Sequence, residues 1–566
     1  MSNPTGQPAF PVSLRWSLIL TGVISIQTLV IGYQSASMGL LSGEFWQTVT
    51  FHLFAAQDVW VGPICAAMIL AAVLLSRRWT PDLPHGRNAV FAAAVLAVAL
   101  TAVFRVLAFQ NFDLSVDEFM PIFQADIFRA GKLLASIDDL DLARRAQPYF
   151  TYVDESRLLW ASHYRPVHAM LLALFPKPYE TLILNSLLDG ISVFATASVA
   201  RQVFPDRRSA PVLAAALLIS SAQFFGIGGA GFAFAAHLAF NMVWLSLFLK
   251  RRWATHILAA ALGFFAVGLH QVHVHILFVA PFGIGMLLGY FGDRRFALPY
   301  LVSYCTALPL WVTWPEVSVW LQTGDASALP RSLRDIEYLR NYLSFWDATH
   351  AVDAGGFHTQ LLLVSIWRFL VWLSPALPPL FLLGMFRLRS LGVVPATALA
   401  SVLTMVVVTH ILMPNQAHTW GARYYHPVLG ALVIFGMGAL YSLADADGLR
   451  RMKSLVVWLI IFGLVVLVPM RGIQIAKKVT PRAAVQDKLM ALDADAVVID
   501  PRELWYGADF VRNDPFLRNR PVFLFQNKSP LFGGRFTDIR IMTANDLIAL
   551  GLPTGTLLEP SRPLKP

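Results

Sequence analysis

Apolar residues run through this chain in long uninterrupted blocks, separated by short basic clusters and a few longer polar intervals. Many blocks approach the roughly 20 residues needed to cross a bilayer as a helix. The pattern predicts spans at Leu14–Tyr33, Val59 to the Arg77-Arg78 pair, Asn88–Phe109, Tyr179–Val203, Ser209–Ile227, Phe232–Leu249 and Ala254–His270. Further spans are predicted at Val274–Phe291, Phe296–Trp314, His358–Gly384, Gly392–Met413, Pro427–Leu443 and Ser454–Met470. The fold class is therefore an α-helical polytopic membrane protein of about thirteen transmembrane helices. Val167–Phe175 is apolar but too short to cross and is expected at the interface. From about Thr480 the pattern changes. Asp495–Asp500, Pro521–Gln526 and Asp538–Thr543 read as strands, and Pro481–Leu492 and Ala544–Leu550 read as helices. Residues 1–475 thus form a membrane domain with external loops 110–166 and 315–357, and residues 480–566 a small C-terminal α/β extramembrane domain. Both termini, Met1–Pro11 and Glu559–Pro566, are Pro-rich and expected to be loose.

Composition supports the membrane class: 56% of residues are hydrophobic, only 14% are charged, and the mean hydropathy is +0.58. A net charge of +10 invites a nucleic-acid reading, but the basic residues sit in short clusters between spans, where they set topology. Arg77-Arg78, Arg207-Arg208, Lys250-Arg251-Arg252, Arg294-Arg295, Arg387 with Arg389, and Arg450-Arg451 with Lys453 all fall on one side, the cytoplasmic one. The long polar intervals and the C-terminal domain share the other. Cys65 and Cys305 both lie in predicted spans, so neither a disulfide nor a cysteine metal site is expected. The first apolar run lacks a clear cleavage site and reads as a retained span.

The longest polar interval, Gln110–Pro166, carries the candidate chemistry. Carboxylates beside hydrocarbon cost free energy and mark sites. Asp113, Asp117 and Glu118 are the acids nearest the preceding span. A carboxylate there can take the proton of a reacting hydroxyl, or the pair can cap the helix beginning near Phe119. Arg165-Pro166 offers a cation at the membrane surface, able to hold a lipid phosphate or simply to solvate headgroups, and Lys177-Pro178 competes for that role. In Trp420–Pro427, Arg423 and His426 stand about one turn apart among aromatic residues, either converging on an anion or forming an interfacial belt. His270, His273 and His275 lie close in sequence, but His270 and His273 lack the i, i+4 pairing of a helical zinc site, so a polar pocket or a helix end suits them better. Asn185 with Asp189, and His237 with Asn241, are i, i+4 pairs inside spans and read as helix packing.

In order and setting these pieces resemble the GT-C superfamily of membrane glycosyltransferases, among them protein O-mannosyltransferases and the lipid A aminoarabinose transferase. The likeness rests on the acidic pair in VDEFMPIFQADIFRAGKLL, the basic-Pro step in HYRPVHAMLLALF and the late RYYHP, and covers roughly Phe104–Ile475. The acidic loop follows the third span here where the family has it after the first, and Arg165 stands where the family has Lys. The resemblance implies an inverting transferase that moves a sugar from a polyprenyl-phosphate donor to a hydroxyl of a glycan, lipid or protein acceptor. It places the base on Asp117, with Glu118 orienting acceptor, holding a neighbouring cation or binding a metal if one is used, and Asp113 in reserve. Arg165, Arg423, His426, His270 and His273 would surround the donor phosphate. No cofactor is required, although some members of the superfamily use a divalent metal. The expected partners are donor, acceptor and membrane lipids, without nucleic acid. The expected setting is a bacterial inner membrane, with the site and C-terminal domain on the periplasmic side. A transporter or lipid-linked sugar flippase is the alternative, and a glycan-binding scaffold a third. Repeated halves with paired broken helices, the transporter signature, are not evident.

Two expectations concern the other external elements. Leu329–Trp346, with Arg331, Arg334 and Arg340, should form an amphipathic helix flanking the donor site. The C-terminal domain should sit above the site, either helping to bind acceptor or acting only as a stabilising cap.

Overall fold

The computed structural model describes residues 12–41, 45–79, 84–147, 149–350, 357–416, 418–443, 446–502, 504, 506–526 and 535–554; both Pro-rich termini lie outside the described residues. Among the described residues six helices are long and apolar enough to cross a membrane: Val12–Ser37, Arg87–Ala108, Glu180–Val203, Val393–Leu412, Arg423–Tyr441 and Ala446–Met490. Four helix pairs pass the same test together but bend by 45° to 115°: Val49–Gln57 with Val61–Leu75, Ala210–Ile219 with Ala222–Gly228, Arg294–Val312 with Trp314–Thr323, and His358–Trp372 with Leu377–Phe386. Counting each pair as one span gives up to ten crossings, beside three shorter apolar helices, Phe234–Phe248, Trp253–Val267 and Val272–Leu287. The chain is thus a mostly helical membrane protein, with two small sheets among the described residues.

The first helix shows how these elements pack. Trp16, Ile19, Val23, Ile26 and Val30 share one exposed face at helical spacing, while Ser17, Thr21, Ser25, Thr28 and Ser35 are buried. This is the arrangement lipid requires: apolar side chains outward, small residues where backbones meet. A Cβ on Gly62 would come within 2.0 Å of the Ser25 carbonyl oxygen. Thr28 donates to the Val59 carbonyl at 2.8 Å, locking the same contact.

Buried charge pins two of the bends. Asp58, between Val49–Gln57 and Val61–Leu75, lies 2.9 Å from Arg368 and 2.9 Å from Arg471, and accepts from the Trp372 indole at 2.7 Å. All four side chains are buried. Arg471 also donates to the carbonyls of Gln57 and Val371. One acid therefore ties the early broken pair to the His358–Trp372 helix and to the long C-terminal helix.

Basic residues gather at one end of the bundle. Arg207 and Lys453 both lie over the Tyr441 ring, Arg387 donates to the Ser442 carbonyl, and Ser454 donates to that of Trp79.

The other end carries the polar layer. The Arg87–Val103 helix closes in a π turn, Phe104–Ala108, and the chain then reverses through Gln110 and Asn111, both at positive φ. Ser115 caps the helix Val116–Arg129, accepting from the Glu118 amide. A three-stranded antiparallel sheet follows, with Leu159–Ser162 between Ala135–Ser136 and Thr151–Asp154. Val167–Ala173 is a short helix, as its length requires.

Leu329–Trp346 does not form one helix. A 3-10 turn spans Leu333–Asp335 under a Ser332–Asp335 capping box, and the helix begins only at Glu337, running to His350. The C-terminal α/β unit is a parallel sheet with Ala496–Ile499 between Val522–Phe525 and Ile539–Met542, followed by the helix Ala544–Ala549. No loop separates it from the membrane near residues 475–480. The Ala446–Met490 helix runs straight through, and the segment predicted as a separate helix from Pro481 is its last part.

Candidate active site

Asp117 lies on the first turn of the Val116–Arg129 helix and lines a cavity of about 300 Å³. Its Oδ2 accepts from Arg423 at 2.5 Å and its Oδ1 accepts from the Tyr164 hydroxyl. Both oxygens are held, which fixes the carboxylate plane, yet each keeps a second lone pair for a further proton. Arg423 opens the 3-10 turn Arg423–Val428, and its guanidinium sits 4.8 Å over Phe232 and 5.0 Å over Tyr424. Burial and the adjacent Asp117 carboxylate hold the Tyr164 phenol protonated, well above its ordinary range.

The walls are aromatic and neutral-polar. Phe150 stacks on Tyr164 at 5.5 Å, and Tyr338 on Tyr342 at 6.1 Å. Thr151, Gln271, Asn341 and Asn415 supply hydroxyl and amide groups. Tyr338, Asn341 and Tyr342 come from the helix Glu337–His350, whose start is fixed by the Glu316 carboxylate accepting from the Glu337 amide at 2.7 Å.

The remaining predicted residues divide. His270 lines the cavity with its ring 4.3 Å from that of Tyr164, and burial keeps it neutral, its pKa well below the ordinary value. Glu118 faces away. Its carboxylate accepts from the Leu114 amide at 2.5 Å, the capping role, and burial together with nearby Asp113 pushes its pKa up to about 8. Asp113 is buried in an ion pair with Arg105 at 2.9 Å and does not line the cavity.

Arg165 does not face the cavity either. Its guanidinium donates to the Trp311 carbonyl at 2.7 Å, to the Val312 carbonyl at 3.3 Å and to the His163 carbonyl at 2.6 Å. It thus closes the C-terminal end of the helix Ala297–Val312, where a cation is favoured. Its flat face lies 4.6 Å under the Tyr338 ring, so it supports the cavity wall from behind. His426 is fully buried against Phe224 beneath the cavity, and His273 is on the next helix without reaching it. His275 bonds Asn241 and Tyr304. The packing expectation holds for Asn185, Asp189 and Asn241, which bond Ala230, Thr101 and Pro427 of neighbouring segments. Among the described residues no group of three His, Cys, Asp or Glu side chains is placed to hold a metal ion.

A layer of charge under the cavity escaped sequence reasoning. Asp509 of the C-terminal unit accepts from the Val116 amide at 2.9 Å, capping the very turn that carries Asp117. Arg512 donates to the Asp113 carbonyl and lies 4.1 Å over Phe112. Burial raises the Asp509 pKa to about 6, with Arg482 opposing. The Trp160 indole donates to the Pro515 carbonyl at 2.8 Å, so the sheet of the long loop and the C-terminal unit share one core. No pattern in the chain links residue 509 to residue 116. Tyr164 was legible only as a neighbour of Arg165. Arg368 and Arg471 were visible as lone cations in apolar runs.

No family model and no curated protein sequence matches the chain. Its structure is similar to that of ArnT from Cupriavidus metallidurans bound to undecaprenyl phosphate, at 13% identity and a TM-score of 0.42, covering 77% of this chain and 86% of that one. It is also similar to the Archaeoglobus fulgidus oligosaccharyltransferase in complex with Zn and sulfate, at 13% identity and a TM-score of 0.36, covering 74% and 61%. A third likeness is to the mycobacterial arabinofuranosyltransferase AftD, at 14% identity and a TM-score of 0.41, covering 80% of this chain but 32% of that one. At these identities and TM-scores the likenesses by themselves carry no reading of function.

Proposed function

We propose that this chain is a membrane glycosyltransferase that moves a sugar from a polyprenyl-phosphate donor to a hydroxyl acceptor, with Asp117 as the base. The observation that carries the reading is the Asp117 carboxylate, held by Arg423 and Tyr164 at the edge of a cavity with aromatic walls. A sugar ring can lie against Phe150, Tyr338 or Tyr342, and its hydroxyls can bond the amides of Asn341, Asn415 and Gln271. The donor class follows from the sequence resemblance. The acceptor oxygen bonds to the anomeric carbon as the bond from that carbon to phosphate oxygen breaks, and the acceptor proton passes to Asp117. Polyprenyl phosphate leaves with its charge near Arg423, a preorganised cation at the point where charge develops. His270, neutral, is placed to donate or accept one hydrogen bond at the same wall. Arg165 serves as a positioning residue through Tyr338.

The test is Asp117→Asn assayed with a polyprenyl-phosphate sugar, following release of free polyprenyl phosphate. Loss of a positioned base should lower turnover by about 10²–10⁴-fold, with donor binding nearly intact. Turnover near the unmodified rate, at a pH where the unmodified enzyme works, would remove Asp117 from the role.

A further inference from the structure

A second cavity, of about 510 Å³, lies at the basic end of the bundle, between the start of the Arg87–Val103 helix, the end of the Glu180–Val203 helix and the link 204–211. Arg87, Arg201, Arg207 and Arg208 line it together with His85, and among the described residues no carboxylate does. Among the described residues none of these four arginines makes an ion pair; Arg207 lies 5.5 Å over the Tyr441 ring, where Lys453 adds another cation. The two helices fix how far this cavity is from Asp117. The Arg87–Ala108 segment has 22 residues, and Arg105 near its far end pairs with Asp113. At 1.5 Å per residue that is roughly 33 Å, about the thickness of a hydrocarbon core.

A topological signal requires basic residues on one side of the membrane. It does not require four of them around one concavity, where like charges repel unless an anion or water intervenes. The apolar surroundings narrow the choice of anion. Leu187, Ile191 and Phe194 are exposed in one stripe of the Glu180–Val203 helix, and Phe194 itself lines the cavity. Phe91 packs beside it at 6.2 Å and is also exposed. Two turns beyond Phe194 on the same helix stands Arg201. A chain lying along the stripe would therefore bring its polar end to the arginines. A free anion has no use for the stripe.

We propose that this cavity binds the phosphate headgroup of an anionic membrane phospholipid, with an acyl chain along Leu187, Ile191 and Phe194. The site is independent of the chemistry at Asp117. It is a lipid contact on the opposite face, through which the composition of that leaflet can act on the protein.

The experiment is native mass spectrometry of the full-length protein in detergent, titrated with phosphatidylglycerol or phosphatidylcholine of identical acyl chains. The expected result is at least about tenfold preference for phosphatidylglycerol, because both lipids offer a phosphate but only phosphatidylcholine also brings a cation that the four arginines repel, and loss of that preference in Arg201→Gln/Arg208→Gln. Both arginines are exposed, so the variant should fold; elution as a single species and an unchanged unfolding temperature check this. Arg251→Gln/Arg252→Gln removes the same charge elsewhere and should keep the preference. Equal binding of the two lipids, unchanged preference in Arg201→Gln/Arg208→Gln, or equal loss in the control variant would each overturn the proposal. Displacement of the lipid by excess inorganic phosphate alone would assign the cavity to a free anion and overturn it too.

Discussion

At the scale of single residues, two adjacent acids take opposite roles because adjacent positions on a helix face different ways. Asp117 turns toward the cavity and is met by Arg423 and Tyr164. Glu118 turns inward and bonds the Leu114 amide of its own N-terminal turn. Burial lifts the Glu118 pKa to about 8, against about 4.3 in an unfolded chain. A raised acid pKa means the folded protein holds the proton more tightly than the unfolded one. The stability this group contributes is therefore full below about pH 4.3, is lost as pH rises from there to about 8, and changes no further above it. Glu118→Gln keeps an acceptor and cannot ionise. Its unfolding temperature should match that of the unmodified protein at about pH 4, exceed it increasingly as pH rises toward about 8, and keep that margin at about pH 9. Parallel pH profiles for the two proteins would show that Glu118 does not titrate in this range.

At the scale of elements, broken helices place the polar groups and buried charge holds the breaks. Asp58 touches Arg368, Arg471 and Trp372 at 2.7 to 2.9 Å, with no exposure to solvent. Removing one partner of a buried ion pair leaves charge uncompensated, at a cost of about 3–5 kcal/mol. Asp58→Asn should lower the unfolding temperature in detergent clearly, while exposed Asp293→Asn, whose partner Arg295 is in solvent, should not. An unchanged unfolding temperature for Asp58→Asn would mean the bends are held by packing alone. The helix Glu337–His350 carries the same lesson in another form. Its amphipathic run was legible in the sequence, but the start was set by the Ser332–Asp335 capping box and by Glu316 from another element.

At the scale of the whole molecule, the C-terminal unit acts on the site through the helix that bears Asp117. Among the described residues it contributes no side chain to the cavity wall. It contributes the Asp509 cap on Val116, the Arg512 contact to Asp113 and the Pro515 acceptor for Trp160. Asp509 is thus a positioning residue. Asp509→Ala should reduce kcat by about tenfold, with donor KM within about twofold, in line with loss of a helix cap worth roughly 1 kcal/mol or more. Asp509→Asn retains the acceptor and should recover most of the rate. If Asn rescues nothing, or if KM rises while kcat holds, the cap is not what Asp509 supplies.

What the sequence determined by itself is what depends on local pattern. Apolar runs identified the membrane class, because hydrocarbon admits only long apolar segments. Short runs rich in Val, Ile and Phe marked the three strands at 496–499, 522–525 and 539–542 within a residue or two of their ends. Single acids and cations in apolar surroundings singled out Asp117, Arg423 and His270, which share one cavity. The tertiary structure alone decided which charge met which. Arg165 reads in sequence as a phosphate ligand, yet three carbonyls take up its donors. Asp113 met Arg105, Asp509 met Val116, and Asp58 met two arginines more than three hundred residues away. Such pairs are invisible locally because a buried charge is stabilised by whatever the fold brings within a few ångströms, and sequence distance carries no information about that.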